Sequence, residues 1–159
     1  MLELKKYTST NASYRLGIDV LSTVELSQDI EQSQREKYFI EDICKRVQKP
    51  STVLYHLKNE EVTLGLIALS VSSIGEFPSL QIDYLFVNRT YRGKSLEILD
   101  DLKTSTYLIE FAIEIAKEIQ EIAGLRYLVL LPDNDKLQDV YKSMGFSILS
   151  KENWLYIKL

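Results

Sequence analysis

The stretch Leu80–Lys94 reads LQIDYLFVNRTYRGK and joins an alternating apolar segment to a basic loop. Apolar or aromatic side chains recur at every second position, as on one face of a β-strand: Leu80, Ile82, Tyr84 and Phe86. The loop that follows concentrates positive charge in a chain whose net charge is -4. Its basic residues are Arg89, Arg92 and Lys94. The stretch therefore predicts a strand that leads directly into a candidate anion-binding loop.

A long amphipathic helix is predicted beyond this loop, over Thr104–Ala123. Its apolar residues are separated by steps of four and three: Leu108, Ala112, Ile115, Ile119 and Ile122. Hydroxyl side chains at its start favour N-capping, and Gly124 favours a stop. The nearly continuous apolar run Arg126–Leu131 then suits a strand that is buried on both faces. Strand, loop, helix and strand together predict a right-handed βαβ crossover.

The segments outside this unit predict a first strand, an irregular segment, a helical region, a hairpin, a short helix and a final hairpin. In chain order they are Leu2–Tyr7, Tyr14–Thr23, Glu25–Val47, Ser51–Val71, Asp133–Gly145 and Phe146–Leu159. A mixture of this kind predicts an α/β (α+β) fold. With 159 residues, the chain is most simply a single domain over residues 1–159.

Composition narrows the classes of partner. The net charge of -4 and the pI of about 5.1 argue against extensive nucleic-acid contact, because phosphate binding needs an excess of Lys and Arg. The one cysteine excludes an internal disulfide and a cysteine-based metal cluster, and we expect no metal site. No apolar run reaches the length of a membrane span, and the N-terminus lacks a signal-peptide core. We therefore expect a cytoplasmic protein.

The tripeptide Gly93-Lys94-Ser95 resembles the end of a P-loop, but the spacing excludes that motif. In G-x-x-x-x-G-K-[ST] the first glycine would fall at Asn88. The helix should also begin directly after the lysine, whereas an acidic stretch, Leu96–Lys103, intervenes. A phosphate or pyrophosphate held in another way stays open. The N–H groups at the start of the predicted helix favour an anion, and Gly93 would allow close backbone approach.

Two motifs at opposite ends of the βαβ unit carry a family resemblance. DYLFVNRTYRGK (Asp83–Lys94) is similar to a strand and pyrophosphate loop. NDKLQDVYKSMGF (Asn134–Phe146) is similar to an N-x-x-a-x-x-x-Y-x-x-x-G-F element that includes Tyr141. Together they resemble the GNAT superfamily of N-acetyltransferases. The resemblance implies a mostly antiparallel central sheet with a βαβ acetyl-CoA-binding core. This sequence departs from the family pattern at Ser95, where Gly or Ala is usual, and in the acidic stretch after it.

The resemblance also implies a reaction and the residues that perform it. An amine would attack the thioester of acetyl-CoA directly, with Tyr141 protonating the leaving thiolate. Asp83 would serve as a base, through water. The implied cofactor-binding residues are Phe86, Val87, Arg92, Gly93, Lys94, Thr104, Ser105 and Asn134.

Each functional assignment has a simpler structural alternative. Tyr141 could be a core residue of its short helix, and Asp83 could face solvent. The single histidine, His56, fits a partly exposed strand residue better than a base.

Three functions follow for the whole chain. The first is acetyl transfer to a primary amine of a small molecule or peptide. The second is a toxin-like acetyltransferase that acts on aminoacyl-tRNA, and the third is a non-catalytic acyl-CoA-binding module. A homodimer is also open.

Overall fold

The computed structural model of the chain describes residues 1–133, 135–149 and 153–159. These residues form two compact units. The first contains residues 1–68 and 84–108, and the second contains residues 69–83 and 109–159. The expectation of one domain over residues 1–159 stays a prediction. None of the described helices is long and apolar enough to cross a membrane.

The chain as far as the basic loop contains four strands and two helices among its described elements. In order they are β1 (Leu2–Tyr7), α1 (Leu16–Leu21), α2 (Ile30–Gln48), β2 (Val53–Asn59), β3 (Val62–Ile74) and β4 (Phe77–Val87). The predicted hairpin is confirmed by β2 and β3, which are joined at Glu60 with a φ of 56°. The predicted helical region is shorter than Glu25–Val47 at its start, because Asp29 is the N-cap and accepts a hydrogen bond from the Gln32 N–H at 3.3 Å.

The prediction that Tyr14–Thr23 is irregular was wrong. The helix α1 has six residues, which is too short for a periodic pattern to reveal. Its Leu16 and Val20 lie one helical turn apart and are buried. Packing of these two side chains in the core accounts for a helix that local propensity does not indicate.

The remaining described elements confirm the predicted crossover. They are β5 (Ser95–Leu96), β6 (Leu102–Lys103), α3 (Thr104–Ala123), β7 (Tyr127–Leu130), α4 (Asp135–Ser143), β8 (Ser147–Ile148) and β9 (Leu155–Lys158). The helix α3 has the predicted bounds, and Gly124 ends it with a φ of 83°. Two short 3-10 turns, Arg89–Tyr91 and Glu97–Leu99, lie in the loop before it.

Seven of these strands form one sheet in the order β1-β2-β3-β4-β7-β9-β8, and β5 pairs with β6 apart from it. The pair β4–β7 is parallel, whereas β1–β2, β7–β9 and β8–β9 are antiparallel. The predicted fold class, a mixed and mostly antiparallel sheet flanked by helices, is confirmed. The β4–β7 register ends at Ile82 opposite Leu130, although β4 continues to Val87. The last residues of β4, which follow Ile82, are therefore outside that pairing.

The core of the first unit is built by α1, α2 and three strands. Its buried members are Leu16, Val20, Ile40, Ile43, Cys44, Val47, Leu54, Leu66, Ala68 and Phe86. Burial, with a smaller contribution from the charge of Glu41, raises the pKa of the Cys44 thiol to about 12. The thiol is therefore not a nucleophile at neutral pH.

The close approach of α3 to the sheet depends on Gly65 in β3. A Cβ atom at this position would lie 2.6 Å from the Phe86 carbonyl oxygen, 3.0 Å from Thr104 Cγ2 and 3.2 Å from Leu108 Cδ1. The first of these contacts is with backbone, which cannot move away cheaply. The glycine thus fixes how closely the first turn of α3 approaches the end of β4.

We expect Gly65→Ala to lower the free energy of unfolding by about 1–3 kcal/mol, the usual cost of overpacking. Urea unfolding measures the change. Gly17→Ala is the matched control, because its nearest contact would be Cys44 Cβ at an ordinary 3.7 Å. Alanine within α1 should be neutral or stabilising by up to about 1 kcal/mol. Equal effects of the two substitutions would contradict a steric role for Gly65.

Candidate active site

The acidic stretch that separates the basic loop from α3 is folded into a small hairpin. Ser95 pairs with Lys103, and Leu96 pairs with Leu102. The tip carries Asp100 and Asp101 in the left-handed conformation, with φ of 55° and 65°. Because paired residues lie side by side, the hairpin brings the end of the basic loop next to the start of α3. The inserted residues are looped out of the candidate anion-binding segment and do not lengthen it.

The first turn of α3 offers unpaired hydrogen-bonding groups. Thr104 is fully buried, and its Oγ1 has no hydrogen-bond partner among the described residues. The first N–H groups of any helix lack partners within that helix, and the first turn of α3 contains no acidic residue. Gly93, across the base of the hairpin, has a φ of 73°. These features fit a pyrophosphate group, since both the amides and the positive end of the helix dipole favour an anion.

The end of β4 presents a backbone edge. The Asn88 N–H donates to the Leu64 carbonyl oxygen on β3 at 2.9 Å. Because backbone N–H groups alternate between the two edges of a strand, the Val87 N–H points away from β3. The Phe86 side chain is buried in the core, and Val87 is half-buried. This edge suits an extended ligand that hydrogen-bonds to backbone.

A polar clamp holds the turn after β4. The buried Asn88 side chain donates to Glu25 Oε1 at 3.1 Å and to the Thr63 carbonyl oxygen at 3.0 Å, and it accepts from the Glu25 N–H. Glu25 also pairs with Arg89 at 3.4 Å and accepts from the Thr90 hydroxyl at 2.6 Å. The segment before α2 is therefore tied to the basic loop.

The Arg92 guanidinium is bound within the first unit. Its Nη2 lies 3.0 Å from Glu36 Oε2, and its Nε donates to the Val87 carbonyl oxygen at 2.8 Å. The guanidinium carbon also lies 5.3 Å from the centre of the Phe86 ring. Lys94, by contrast, is exposed. The two basic residues thus differ in their freedom to reach a ligand.

Tyr141 lies on α4 in the second unit and is buried, with 7% of its surface exposed. Its ring packs edge-on against Phe146, with 6.0 Å between the ring centres. Burial, together with the charge of Asp133, raises the pKa of the phenol to about 12. The phenol is therefore protonated throughout the neutral range and can act as a proton donor.

The roles of two further predicted residues, Asp83 and Asn134, stay predictions. Asp83 is half-buried, and its Oδ1 accepts from Ser70 Oγ and Gln81 Nε2, both at 2.8 Å. These bonds hold the carboxylate on its strand, and its role as a base stays a prediction. Asn134 lies outside the described residues, so its predicted contact with the cofactor also stays a prediction.

The expectation that His56 is partly exposed was wrong, because only 3% of its surface is exposed. Its Nε2 lies 2.7 Å from Thr63 Oγ1, which in turn donates to Thr23 Oγ1 at 3.2 Å. Burial, together with the charges of Lys58 and Lys5, lowers the pKa of the imidazole to about 4. The ring is thus a neutral part of the interior.

Sequence reasoning missed the buried carboxylate of Glu36 and the clamp at Glu25. Glu36 precedes Ile40, Ile43 and Val47 on α2 at steps of four, three and four, which is the spacing of the buried face. A charged residue on such a face signals a buried partner. Glu25 gave no comparable signal, because it lies at the start of the predicted helical region, before the residues whose spacing is helical.

The sequence signature of the acetyltransferase (GNAT) family matches residues 20–146. The chain belongs to the GNAT family of acetyltransferases. It is an N-acetyltransferase with acetyl-CoA as its co-substrate, and the resemblance seen in its two motifs is confirmed. No curated protein matches the sequence significantly.

Solved structures with the same fold include complexes with different ligands. AtaTR bound with AcCoA has a TM-score of 0.75 and 19% identity, covering 99% of this chain and 92% of that chain. AtaT complexed with acetyl-methionyl-tRNAfMet has a TM-score of 0.72 and 17% identity, covering 99% and 95%. The KacTA–DNA complex has a TM-score of 0.70 and 17% identity, covering 98% and 93%. At these identities the likeness shows the fold alone.

The buried His56 predicts a pH dependence of stability. Its pKa is about 4 in the folded chain, against an ordinary value of 6.5, so the unfolded chain binds a proton first as the pH falls. The contribution of neutral His56 is complete above pH 6.5 and is lost as the pH falls from about 6.5 to about 4. Within that window, protonation of His56 lowers the free energy of unfolding by at most about 1.4 kcal/mol for each pH unit.

Urea unfolding of the parent and of His56→Gln across pH 4–7 measures this contribution. The carboxylates titrate in both chains and cancel in the difference between the two curves. The parent curve should fall more steeply with decreasing pH than the variant curve. Parallel curves would mean that the pKa of His56 is the same in the folded and unfolded chains, which would contradict the lowered pKa.

Proposed function

We propose that this GNAT protein transfers the acetyl group of acetyl-CoA to a primary amine of a small molecule or peptide. The observation that carries the proposal is the hairpin β5–β6, which joins the Gly93–Lys94 backbone to the first turn of α3. It supports an anion site of the family type despite the inserted acidic stretch. The orphaned hydroxyl of buried Thr104 lies in the same turn.

The pyrophosphate is proposed to bind at the backbone of the loop Arg92–Lys94, through the Gly93 N–H, and to the amides of Thr104 and Ser105. The exposed Lys94 would add a charge contact. The pantetheine arm is proposed to lie along Phe86 and Val87, where β4 continues beyond its pairing with β7. Asn134 is proposed to bond to the pantetheine amides, as the family motif implies.

The proposed reaction is a direct attack without an acetyl-enzyme. The neutral amine nitrogen forms a bond to the thioester carbon, and the carbon–sulfur bond breaks. The Val87 N–H is proposed to donate to the thioester oxygen while negative charge develops on it. The amine loses a proton and the departing sulfur gains one, so the net products are an amide and free CoA thiol.

Tyr141 is proposed to supply the proton to sulfur. Its raised pKa keeps the phenol protonated, but donation to a thiolate whose conjugate thiol has a pKa near 8.5 is then uphill. The transfer must therefore accompany the breaking of the carbon–sulfur bond, when negative charge on sulfur is greatest. Asp83 is proposed to take the proton of the attacking amine through water, with Oδ1 held by Ser70 and Gln81.

An aminoacyl-tRNA acceptor is the second candidate. The fold shared with AtaT complexed with acetyl-methionyl-tRNAfMet favours it, because that likeness covers 99% of this chain. The net charge of -4 opposes it, since a polyanion needs an excess of basic contacts. The smaller amine is therefore our first choice. A non-catalytic acyl-CoA-binding module is the third, and it would not release thiol.

The test follows free-thiol release from acetyl-CoA in the parent and in Tyr141→Phe. The substitution removes one hydroxyl and almost no volume, so the fold should persist. We expect turnover to fall by about a hundredfold or more while the affinity for acetyl-CoA stays close to that of the parent. Tyr127→Phe, in the same unit, is the control and should behave like the parent.

The same assay is repeated with two kinds of acceptor, a panel of primary amines and an aminoacyl-tRNA. Release with the amines at moderate salt supports the first candidate. Release with aminoacyl-tRNA alone, declining steeply with salt, would replace it with the second. If neither acceptor causes thiol release, the third candidate, a non-catalytic acyl-CoA-binding module, is supported. Full turnover in Tyr141→Phe would return Tyr141 to a core role.

A further inference from the structure

An ion pair between Glu36 and Arg92 joins α2 to the basic loop within the first unit. Glu36 lies in the middle of α2, with only 3% of its surface exposed. Its Oε2 lies 3.0 Å from Arg92 Nη2, and the Arg92 side chain is 34% exposed. A carboxylate is almost never buried without such a partner. The pair is therefore a fixed feature of the interior and differs from an ordinary surface contact.

Glu36 has more partners than a simple ion pair requires. Its Oε1 accepts from the Ser27 N–H at 2.8 Å, and its Oε2 accepts from Gln32 Nε2 at 3.0 Å. This one carboxylate thus binds to the segment before α2, to the first turns of α2 and to the loop after β4. Satisfying its oxygens in this way makes the buried charge tolerable and fixes its orientation.

Arg92 is bound on its other side to the end of β4. Its Nε donates to the Val87 carbonyl oxygen at 2.8 Å, and its guanidinium lies 5.3 Å from the Phe86 ring. A planar guanidinium that serves a carboxylate and a carbonyl at once cannot rotate freely. The backbone of Arg92 is held accordingly, and Gly93 follows it directly with a positive φ.

We propose that Arg92 is a positioning residue that acts through Glu36 to fix the pyrophosphate loop, and that it does not itself bind phosphate. This inference rests on the proposed function of the loop. The pair sets the backbone that presents the Gly93 amide, whereas the Lys94 N–H donates to the Tyr91 carbonyl oxygen at 3.2 Å. The helix α2 therefore contributes to cofactor affinity through a carboxylate, although a negative charge near the loop would repel phosphate.

Two substitutions separate positioning from direct phosphate contact. Glu36→Gln removes a negative charge near the loop and frees Arg92. If Arg92 bound phosphate, CoA affinity should stay the same or rise. If the pair positions the loop, affinity should fall by about tenfold or more, because a displaced site loses its geometry. Arg92→Lys keeps the positive charge but loses the planar guanidinium that contacts Glu36 and the Val87 carbonyl oxygen together. A positioning role therefore predicts a similar loss of CoA affinity, whereas a direct charge contact with phosphate predicts an affinity close to that of the parent.

The readout is the dissociation constant of CoA, measured by titration calorimetry together with the fraction of binding-competent protein. A purely structural defect lowers that fraction and leaves the dissociation constant of the folded remainder unchanged. In the thiol-release assay, positioning predicts a raised KM for acetyl-CoA with kcat little changed. Glu41→Gln is the matched control, because it removes the same charge from α2 at an exposed pair with Lys37.

Parent-like CoA affinity in both folded variants, or a gain in Glu36→Gln, overturns the positioning role. If Glu36→Gln does not fold, Arg92→Lys decides alone, since it leaves the buried carboxylate paired with a cation. A parent that binds no CoA would instead overturn the proposed function. Weakened binding in both variants with parent-like Glu41→Gln supports the inference.

Discussion

The position at which β4 ends is the constraint on which the candidate site depends. The strand stops at Val87, and the next residue, Asn88, is buried with its amide bonded to Glu25 and to the Thr63 carbonyl oxygen. The carbonyl of Val87 is taken by Arg92. The chain therefore leaves the sheet at a fixed point and in a fixed direction. The proposed positions of the pantetheine arm and of the pyrophosphate both depend on the point at which the chain leaves the sheet.

The inserted acidic stretch shows how the candidate site can accommodate a longer loop. An insertion that simply lengthened the loop would move the anion-binding amides apart and add negative charge between them. Here Ser95 and Lys103 pair at the base of a hairpin, so the two backbone segments on either side remain neighbours. The carboxylates of Asp100 and Asp101 are exposed at the tip. The hairpin thus keeps the two segments of the candidate site next to each other, while the negative charges of the insertion lie at its tip.

Periodic patterns predicted the fold wherever an element was long enough to show one. The crossover β4–α3–β7 and the bounds of α3 follow from spacing alone, whereas the short α1 depends on core contacts of Leu16 and Val20. Motif resemblance supplied the candidate site, but it could not show that Arg92 is held by Glu36. That contact joins residues 56 positions apart, and neither residue type implies the other. Burial of His56 was likewise missed, because alternation does not reveal which face a hairpin strand buries.

The central claim is that acetyl-CoA is held where β4 ends and α3 begins. Amide hydrogen exchange measured with and without acetyl-CoA tests it most directly, because bound phosphate and pantetheine should slow exchange at the amides they engage. We expect added protection at Val87, Gly93 and Thr104–Thr106, with the β1 amides unchanged. Binding of acetyl-CoA without protection at these positions, or with protection only elsewhere, would contradict the proposed site.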